Sequence, residues 1–506
     1  MSNNYANILL RIRPQREKNS WVYPVEANLD DGSRYRNGQL HLDEQAQENL
    51  LATIEDAKSY GIRLFNALFS GSIRTAYNKI TGHAEALSEG RLRVRLWIDE
   101  EAAELHTISW ERLYHEHKGQ MVPLAASVLT PFSRYIGLEI PEPQPVTASP
   151  IRLLVAISNP LHLPPELSPI EVENEVENLR RALGDLQDEN HIRVILMPGQ
   201  SGVSSALRMQ LEREKYQILD CVTSLDNILR FSAGCHVLHF LGHGFFRRQD
   251  KQGKATAALY LENEDKSGEI VKDDDLVTKL AAAGPLPHLV FLSACESAKQ
   301  DGEAFVGLGP KLVKAGVPSV VAMQDRLPMD VARQLTADFY RNLLEHGMID
   351  QALNQARLLL FNQDRPDWSI PVLFTRLKHG QLFTTFQKIE RLKKDFSDKE
   401  NKEALSLSLD AAPSGIIPGK VPYNTAEIRK LLREGLSDQD LNDLCMDNFR
   451  IVYDQFSSGM TKQQKIHSLI EHCSRRNKFP QLLDLVKGLS PEKYAEYEHS
   501  LTSAGQ

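Results

Sequence analysis

The chain has 506 residues, which is too long for one hydrophobic core and predicts two to four domains at roughly 150 residues each. Its hydrophobic content of 42% and charged content of 25% are those of an ordinary globular protein, and its net charge of −8 argues against direct nucleic-acid binding. No apolar run approaches the ~18 residues of a membrane span, and the five scattered cysteines are typical of reduced thiols, so we expect a cytoplasmic protein without a membrane partner.

The first 147 residues mix strand and helix patterns. Ala6–Ile12 and Leu92–Ile98 alternate apolar and polar residues, which predicts half-buried strands. Apolar residues between Glu44 and Leu68 recur at helical spacing, with Gly61 as an interruption. We therefore expect an N-terminal α+β region at 1–147.

Four prolines between Pro141 and Pro150 predict an extended linker and a domain boundary. Strand and helix patterns alternate over residues 151–380, which indicates a mainly parallel sheet covered by helices on both faces. The predicted strands include Ile151–Ile157, Ile192–Met197, Val237–Gly244, His288–Glu296 and Gly316–Met323. The predicted helices include Asp274–Ala283, Glu303–Ala315 and one that Gly347 caps.

Residues 381–423 read as a second linker that begins with a charged helix at 387–394. Residues 424–506 then show short helical patterns, with Thr425 and Ser437 as candidate N-caps. No motif in this stretch supplies a nucleophile or a set of metal ligands. We expect a small all-α domain that binds another protein.

Two apolar runs end in side chains that could perform chemistry. Val237–Gly244 contains His243 near its end, and His288–Glu296 contains Cys295 at the corresponding place, 52 residues later. Carboxyl ends of parallel strands meet at one edge of a sheet, and a cysteine with a histidine about 50 residues upstream is a spacing known in caspase-type proteases. A nearby imidazole creates the reactive thiolate. The pair predicts a cysteine endopeptidase with Cys295 as nucleophile and His243 as acid and base.

Glycines flank the histidine on both sides. Without a Cβ, Gly242 could let the backbone turn and Gly244 could let it approach a ligand closely. The backbone N–H groups of Gly244 and Cys295 would then form an oxyanion hole for the tetrahedral intermediate.

The same residues also permit interpretations other than cysteine peptidase catalysis. A cysteine at a strand end is often a packed small residue, and Cys221, Cys235, Cys445 and Cys473 are read as structural. His236, His239 and His243 could suggest a metal site. On a strand, however, His236 faces away from the other two, and no CxxC or HExxH accompanies them, so we expect no metal.

Five strings of this sequence resemble the CHAT family, the caspase-related peptidases akin to caspases and separase. They are Val237–Gly244, Leu289–Ser297, Ala315–Gln324, Trp368–Phe374 and a Trp-Glu box at Ile108–Tyr114. The resemblance implies a caspase-like α/β fold without a cofactor, with residues 1–147 as a degenerate half-domain beside the active sheet. It also implies His243 as general acid and base, Cys295 as nucleophile and Gly244 as oxyanion donor.

The helical tail resembles bacterial effector-associated, death-like adaptor domains, through Ile428–Asp447 and Thr461–Ile470. This implies homotypic docking to a like domain on a partner or sensor protein, within a bacterial antiphage or conflict system. The enzyme would then be an effector that acts on a protein substrate. The alternative is a catalytically silent caspase-like scaffold that assembles partners.

Relatives that cut after basic residues use an acidic floor in the pocket for the residue before the scissile bond, the P1 residue. Asp301, Asp325 and Asp330 follow the relevant strand ends and are the candidates for this role. A basic P1 preference is therefore a hypothesis for the substrate.

Overall fold

The computed structural model describes residues 5–15, 17, 20–87, 89–164, 167–247, 256–265, 267–294, 301–384, 424–453, 456, 460–476 and 478–501. The chain forms two compact units, Met1–Glu403 and Ala404–Gln506. The predicted helix at 387–394 and the linker beyond residue 384 lie outside the described residues. The domain boundaries at 147, 151, 380 and 424 stay predictions.

The first unit is built on strands. In chain order they are β1 (Ala6–Ile12), β2 (Val22–Leu29), β3 (Arg34–His41), β4 (Leu92–Ile98), β5 (Tyr114–His117), β6 (Gln120–Pro123), β7 (Phe132–Tyr135), β8 (Ile151–Ile157), β9 (Ile192–Met197), β10 (Gln217–Ile218), β11 (Val237–Gly242), β12 (Gly244–Arg247), β13 (Thr256–Glu262), β14 (Gly268–Lys272), β15 (Leu289–Ala294), β16 (Ser319–Met323) and β17 (Pro371–Thr375).

Twelve of these strands form one sheet in the order β10-β9-β8-β11-β15-β16-β17-β7-β4-β1-β2-β3. Within the described strands, the pairs β1–β2, β2–β3 and β16–β17 are antiparallel and the others in this sheet are parallel. The pairing of β17 with β7 joins the strands of the N-terminal region to those after residue 150. The prediction of a mainly parallel sheet is confirmed.

Two smaller sheets stand apart from the large one. They are β12-β13-β14, whose two strand pairs are antiparallel, and the hairpin β5-β6. The first begins at Gly244, so His243 lies between the end of β11 in the large sheet and the start of this smaller sheet.

Helices flank the large sheet. They are α1 (Glu44–Leu51), α2 (Ala57–Leu68), α3 (Gly71–Leu87), α4 (Val172–Asp188), α5 (Ser205–Arg213), α6 (Leu225–Ser232), α7 (Asp273–Ala282), α8 (Asp301–Lys314), α9 (Met329–His346) and α10 (Ile349–Asn362). Short 3-10 turns occupy Glu100–Thr107, Trp110–Arg112, Leu124–Ala126, Gly199–Ser201 and Pro366–Ser369.

The central strands of the large sheet are more completely buried than its outer strands. Every residue of β11 and of β16 is buried, because α4 and α9 contribute to the core on one face while α8 contributes to the core on the other. In β1 and β2, buried residues alternate with partly exposed ones. The central strands therefore read as continuous apolar runs, and the outer strands read as alternating ones.

The predicted strands at Ala6–Ile12, Leu92–Ile98, Ile151–Ile157 and Ile192–Met197 have the observed bounds. Gly347 caps α9 with a φ of 75°, as predicted. Sequence reasoning missed the pair β2–β3. Pro24 interrupts the pattern of β2, and β3 lies at the edge of the sheet with mostly polar residues.

The expected interruption at Gly61 is wrong. The break between α1 and α2 comes at residues 52–56, and Gly61 lies inside α2. A Cβ at Gly61 would lie 1.7 Å from the backbone oxygen of Arg112. The glycine therefore allows close packing of a helix against a turn and does not end the helix.

The second unit is helical. Its helices are α11 (Thr425–Gly435), α12 (Asp438–Asn448), α13 (Arg450–Tyr453), α14 (Lys462–Arg476), α15 (Phe479–Leu489) and α16 (Pro491–Tyr497), followed by a 3-10 turn at Glu498–Ser500. It has a hydrophobic core of its own, which includes Leu431, Leu444, Leu469 and Leu482.

The predicted caps of these helices differ in outcome. Ser437 caps α12 in a reciprocal capping box with Asp440, as expected. Thr425 is instead the first residue of α11, and the Asn424 side chain accepts from the backbone N–H of Glu427. Within the described part of the chain, no helix is long and apolar enough to cross a membrane.

Candidate active site

The two strands that carry the candidate dyad are neighbours in the sheet. β11 and β15 run parallel, and Gly242 is in register with Ala294. His243 directly follows Gly242, and Cys295 directly follows Ala294 in the sequence. Cys295 itself lies outside the described residues. The strands that lead to both residues therefore end side by side at one sheet edge.

The His243 side chain has no exposed surface, and its Nε2 lies 3.0 Å from the carbonyl oxygen of Ser168. A carbonyl oxygen only accepts hydrogen bonds, so Nε2 carries the proton. In the neutral ring, Nδ1 then carries the lone pair, as a general base requires. The backbone oxygen of His243 accepts from the N–H of Tyr260 on β13 at 2.9 Å. Both the ring and the backbone of His243 are thereby oriented.

The flanking glycines differ from each other. Gly244 begins β12 and lies opposite Leu259 of β13. Gly242 ends β11 and the chain begins β12 at Gly244, so the direction of the chain changes beside Gly242 without a positive φ at this glycine. A Cβ at Gly242 would lie 2.5 Å from the ring of Phe240. The absence of a Cβ at Gly242 therefore leaves space for the Phe240 ring.

The three candidate acids lie in different surroundings. Asp325 follows β16 and lines a cavity of about 380 Å³. Asp330 is in the first turn of α9, well exposed, and pairs with Arg365 at 3.2 Å. Asp301 begins α8, and its side chain lies outside the described part of the chain. Of the two acids with described side chains, only Asp325 lines this cavity.

The cavity around Asp325 has polar and apolar walls. Its polar lining includes His106, Arg112, Gln324, Asp325 and Asp367. Asp367 is a second carboxylate, which sequence reasoning missed because it belongs to the turn before β17 and follows no predicted strand end. Gln324 and Asp325 directly follow β16, so the cavity lies at the carboxyl end of this strand, and β16 is the parallel neighbour of β15.

The Trp-Glu box builds one wall of this cavity. Glu111 is fully buried and pairs with Arg134 of β7 at 2.5 Å. Arg134 also donates to the backbone oxygens of His106 at 2.6 Å and of Ile108 at 3.1 Å. Trp110 is buried and donates to the oxygen of Leu105. The box therefore has a structural role: it fixes the turn at 105–111 against the sheet.

The neighbouring histidines have separate partners. His239 Nδ1 lies 3.2 Å from the Tyr340 hydroxyl, and burial lowers the pKa of His239 to about 3. His236 accepts from the backbone N–H of Arg152 at 2.9 Å. Among the residues that the structure describes, no group of three or more His, Cys, Asp and Glu side chains could hold a metal.

The four cysteines with described positions are poor nucleophiles. Burial raises the pKa of the Cys221 and Cys235 thiols, and it raises the pKa of Cys445 and of Cys473 to about 12. A thiol reacts as its thiolate, so a raised pKa suppresses its reactivity at neutral pH. These cysteines provide an internal background for reactivity measurements.

A buried carboxylate organises the loops around the site. Glu262, at the end of β13, has no exposed surface and accepts backbone N–H groups from Asn159, Gln200 and Thr223 at 2.7–2.9 Å. These residues follow β8, β9 and β10 respectively. Gly199 has a φ of 67°, and a Cβ there would lie 2.5 Å from Glu262. No sequence motif indicated this junction, because its donors are backbone groups.

Comparison with known families adds two matches. The CHAT domain model matches residues 59–423, and the effector-associated domain 7 model matches residues 428–491. The CHAT match begins upstream of the boundary predicted at residue 147, so the family domain includes much of the N-terminal region. No curated protein matches the chain.

Two solved structures are similar to this chain. The separase–securin complex of Saccharomyces cerevisiae is 10% identical with a TM-score of 0.38, and the match covers 74% of this chain and 30% of that chain. The complex of Porphyromonas gingivalis RgpB pro- and mature domains is 11% identical with a TM-score of 0.32, and the match covers 68% of this chain and 78% of that chain.

The CHAT match covers more than half of the chain and includes the two strands that lead to His243 and Cys295. The effector-associated match lies on the helices of the second unit. The chain therefore belongs to the CHAT domain family of caspase-like peptidases and carries a C-terminal effector-associated domain 7.

Proposed function

We propose that the protein is a cysteine endopeptidase with a Cys295–His243 dyad. The observation that carries the proposal is the strand register that ends β11 and β15 side by side, directly before His243 and Cys295. The Ser168 carbonyl supports it, since the protonated Nε2 leaves Nδ1 as the basic nitrogen. Family membership supports a peptidase in general.

In the proposed reaction, Nδ1 of His243 takes the proton of the Cys295 thiol. The thiolate attacks the scissile carbonyl carbon, and the resulting oxyanion is stabilised by backbone N–H groups that include Gly244. The imidazolium gives its proton to the departing amine as the C–N bond breaks. Water, deprotonated by the same imidazole, then hydrolyses the thioester and restores the thiol.

We propose that this activity is regulated through the helical unit. The effector-associated domain supports docking to a protein partner, which we take to be a sensor that carries a like domain, in bacterial antiphage or conflict defence. The buried state of His243 also supports regulation, because a substrate cannot reach a side chain without exposed surface unless its surroundings rearrange. Partner docking would supply that rearrangement.

Covalent labelling tests the dyad without knowledge of the natural substrate. The wild-type protein and its Cys295→Ala and His243→Ala variants are treated with electrophilic peptide probes that carry Arg, Asp or Leu at P1. Mass spectrometry then locates the label. We expect labelling at Cys295 with at least about a 100-fold loss of rate in His243→Ala, in line with the usual contribution of acid–base catalysis.

The four cysteines with described positions serve as the background in the same experiment, because burial raises their pKa values. Slow and uniform labelling of all thiols, with and without a partner that carries a like domain, would contradict the peptidase and favour a silent scaffold. Slow labelling that becomes fast and specific with that partner would support a regulated enzyme.

We propose a basic P1 residue for the substrate, with Asp325 as its acidic contact. The support is the position of Asp325 in the cavity beside the strand ends. We expect Asp325→Ala to lower kcat/KM for Arg-P1 peptides at least about 10-fold, as loss of one charge-assisted contact implies, and to affect Leu-P1 peptides less. Asp330→Ala is the matched control, since Asp330 is not among the residues that line this cavity and pairs with Arg365. Equal turnover of Arg-P1 peptides by wild type and Asp325→Ala would remove Asp325 from the pocket.

A further inference from the structure

The carbonyl that orients His243 belongs to the segment between β8 and α4. Ser168 accepts from His243 across 75 residues of sequence, so its position depends on how this segment is held. The side chain of Asn159, near the start of this segment, binds both backbone groups of Ile170 and so clamps the segment. Asn159 Oδ1 accepts from the backbone N–H of Ile170 at 2.9 Å, and Asn159 Nδ2 donates to the backbone oxygen of Ile170 at 3.1 Å. The clamped residue is two positions from Ser168.

The backbone of Asn159 is itself anchored. Its N–H donates to the buried carboxylate of Glu262 at 2.9 Å, and its carbonyl accepts from the side chain of Gln200 at 2.6 Å. Glu262 lies on β13, and the same strand supplies the Tyr260 N–H that binds the His243 carbonyl. One strand therefore holds both the His243 backbone and, through Asn159, the segment that carries the acceptor of the His243 ring.

The clamp requires an amide side chain. It uses one acceptor and one donor toward Ile170, and Nδ2 also donates to the Ser201 hydroxyl at 2.9 Å. Aspartate has the same shape but no donor, and it would direct a carboxylate oxygen at the Ile170 carbonyl. Serine is too short to make both contacts. Asn159 is thus suited to hold both backbone groups of Ile170 at once.

We propose that Asn159 is a positioning residue for His243, which acts by fixing the Ser168 carbonyl and so the orientation and tautomer of the imidazole. The catalytic meaning of this role rests on the proposed cysteine peptidase function. The hydrogen bonds of Asn159 with Ile170 and of His243 with Ser168 do not depend on that function. Glu262 acts one step further away, as the anchor of Asn159.

The test compares two nearly isosteric substitutions in the full chain, Asn159→Asp and Gln187→Glu. Gln187 on α4 is the matched control, because its side chain also clamps backbone groups: Oε1 accepts from Val194 at 3.0 Å and Nε2 donates to Lys215 at 2.9 Å. It contacts neither Ser168 nor His243 through these bonds. Both substitutions replace an amide NH2 group with a carboxylate oxygen at a buried or partly buried site.

The first measurement is the ¹⁵N NMR spectrum of labelled histidines, with the His243 signals assigned by their loss in His243→Ala. We expect His243 to be the Nε2–H tautomer in the wild type and in Gln187→Glu. In Asn159→Asp we expect averaging between tautomers, since the ring has lost its fixed acceptor. An unchanged Nε2–H tautomer in Asn159→Asp would overturn the proposal. If Asn159→Asp does not fold, Asn159→Ser removes the clamp without adding charge and is measured in the same way.

The second measurement is the rate of Cys295 alkylation by iodoacetamide as a function of pH. We expect about a 10-fold lower rate at pH 7 in Asn159→Asp, with the midpoint of the profile moved toward the ~8.5 of a free cysteine. Gln187→Glu is expected to keep the wild-type profile. A wild-type Cys295 that reacts no faster than a free thiol would count against the dyad, while the tautomer of His243 would still decide the role of Asn159.

Discussion

The imidazole of His243 is held by a backbone carbonyl, and this choice of partner has chemical consequences. The Ser168 oxygen carries no formal charge, so it orients the ring without the strong attraction for an imidazolium that a carboxylate supplies. The buried carboxylate in this network, Glu262, binds backbone N–H groups of three loops. Charge is thus used to organise the loops, and a neutral acceptor is used at the ring.

A second histidine on the same strand predicts a pH effect on stability. His239 is fully buried, and burial lowers its pKa from 6.5 to about 3. Between these values the unfolded chain binds a proton that the folded chain does not, so the stabilisation is complete above pH 6.5 and is lost as the pH falls toward 3. We expect His239→Phe to lose less unfolding free energy between pH 7.5 and pH 5 than the wild type, by about 2 kcal/mol.

Urea unfolding at the two pH values measures this difference. The substitution also removes the partner of the Tyr340 hydroxyl, and this cost is the same at both pH values because the hydroxyl is neutral in this range. His83→Phe is the control for the substitution itself, since His83 lies exposed on α3. An equal pH-dependent loss in His239→Phe and wild type would mean that His239 is protonated in the folded protein.

At the scale of elements, local patterns predicted strands well and close contacts poorly. β1, β4, β8 and β9 have the predicted bounds because alternation and apolar runs are local properties of the sequence. Glycine weakens a helix, so the sequence predicts a helix break at Gly61, whereas the contact with the Arg112 turn requires the absence of a Cβ there. That turn is about fifty residues away, so no local pattern could reveal it.

Two helical glycines therefore have opposite expected effects. Gly61→Ala places a Cβ against a backbone oxygen in the folded state, and we expect it to destabilise the protein by at least about 2 kcal/mol, in the range of other overpacking substitutions. Gly184 lies in α4, and a Cβ there meets nothing within 4 Å. Gly184→Ala should stabilise the protein by about 0.5–1 kcal/mol. Thermal unfolding of both variants tests the pair, and a stabilising Gly61→Ala would show that the Arg112 turn can move away at little cost.

At the scale of the whole molecule, one sheet joins the N-terminal region to the strands of the candidate site. β7 lies between β17 and β4, and the hydrophobic core on one face contains residues from both halves. Buried Arg93 of β4 also pairs with Asp350 of α10 at 2.6 Å. The N-terminal region is therefore part of the folded body that holds the site.

A deletion experiment follows from this architecture. Removal of residues 1–147 exposes the β17 edge and leaves Asp350 without its buried partner, so we expect the remaining chain to be insoluble or to lose cooperative unfolding. The helical unit has its own core, so a fragment of residues 424–506 should fold alone. Circular dichroism and solution NMR would measure the folding of the 148–506 chain and of the 424–506 fragment. A 148–506 chain that is stable and unfolds cooperatively would contradict the expectation that it needs residues 1–147 to fold.

The sequence by itself determined the chemical groups and the periodicity of the elements. The strands that end before His243 and Cys295, the mainly parallel sheet and the helical tail all follow from residues that are close together in the chain. Only the tertiary structure decided which groups meet. The Ser168 carbonyl lies 75 residues from His243, and Asn159 lies 103 residues from Glu262. These contacts use backbone donors and acceptors, which every residue but proline possesses in full, so no residue type marks them in advance.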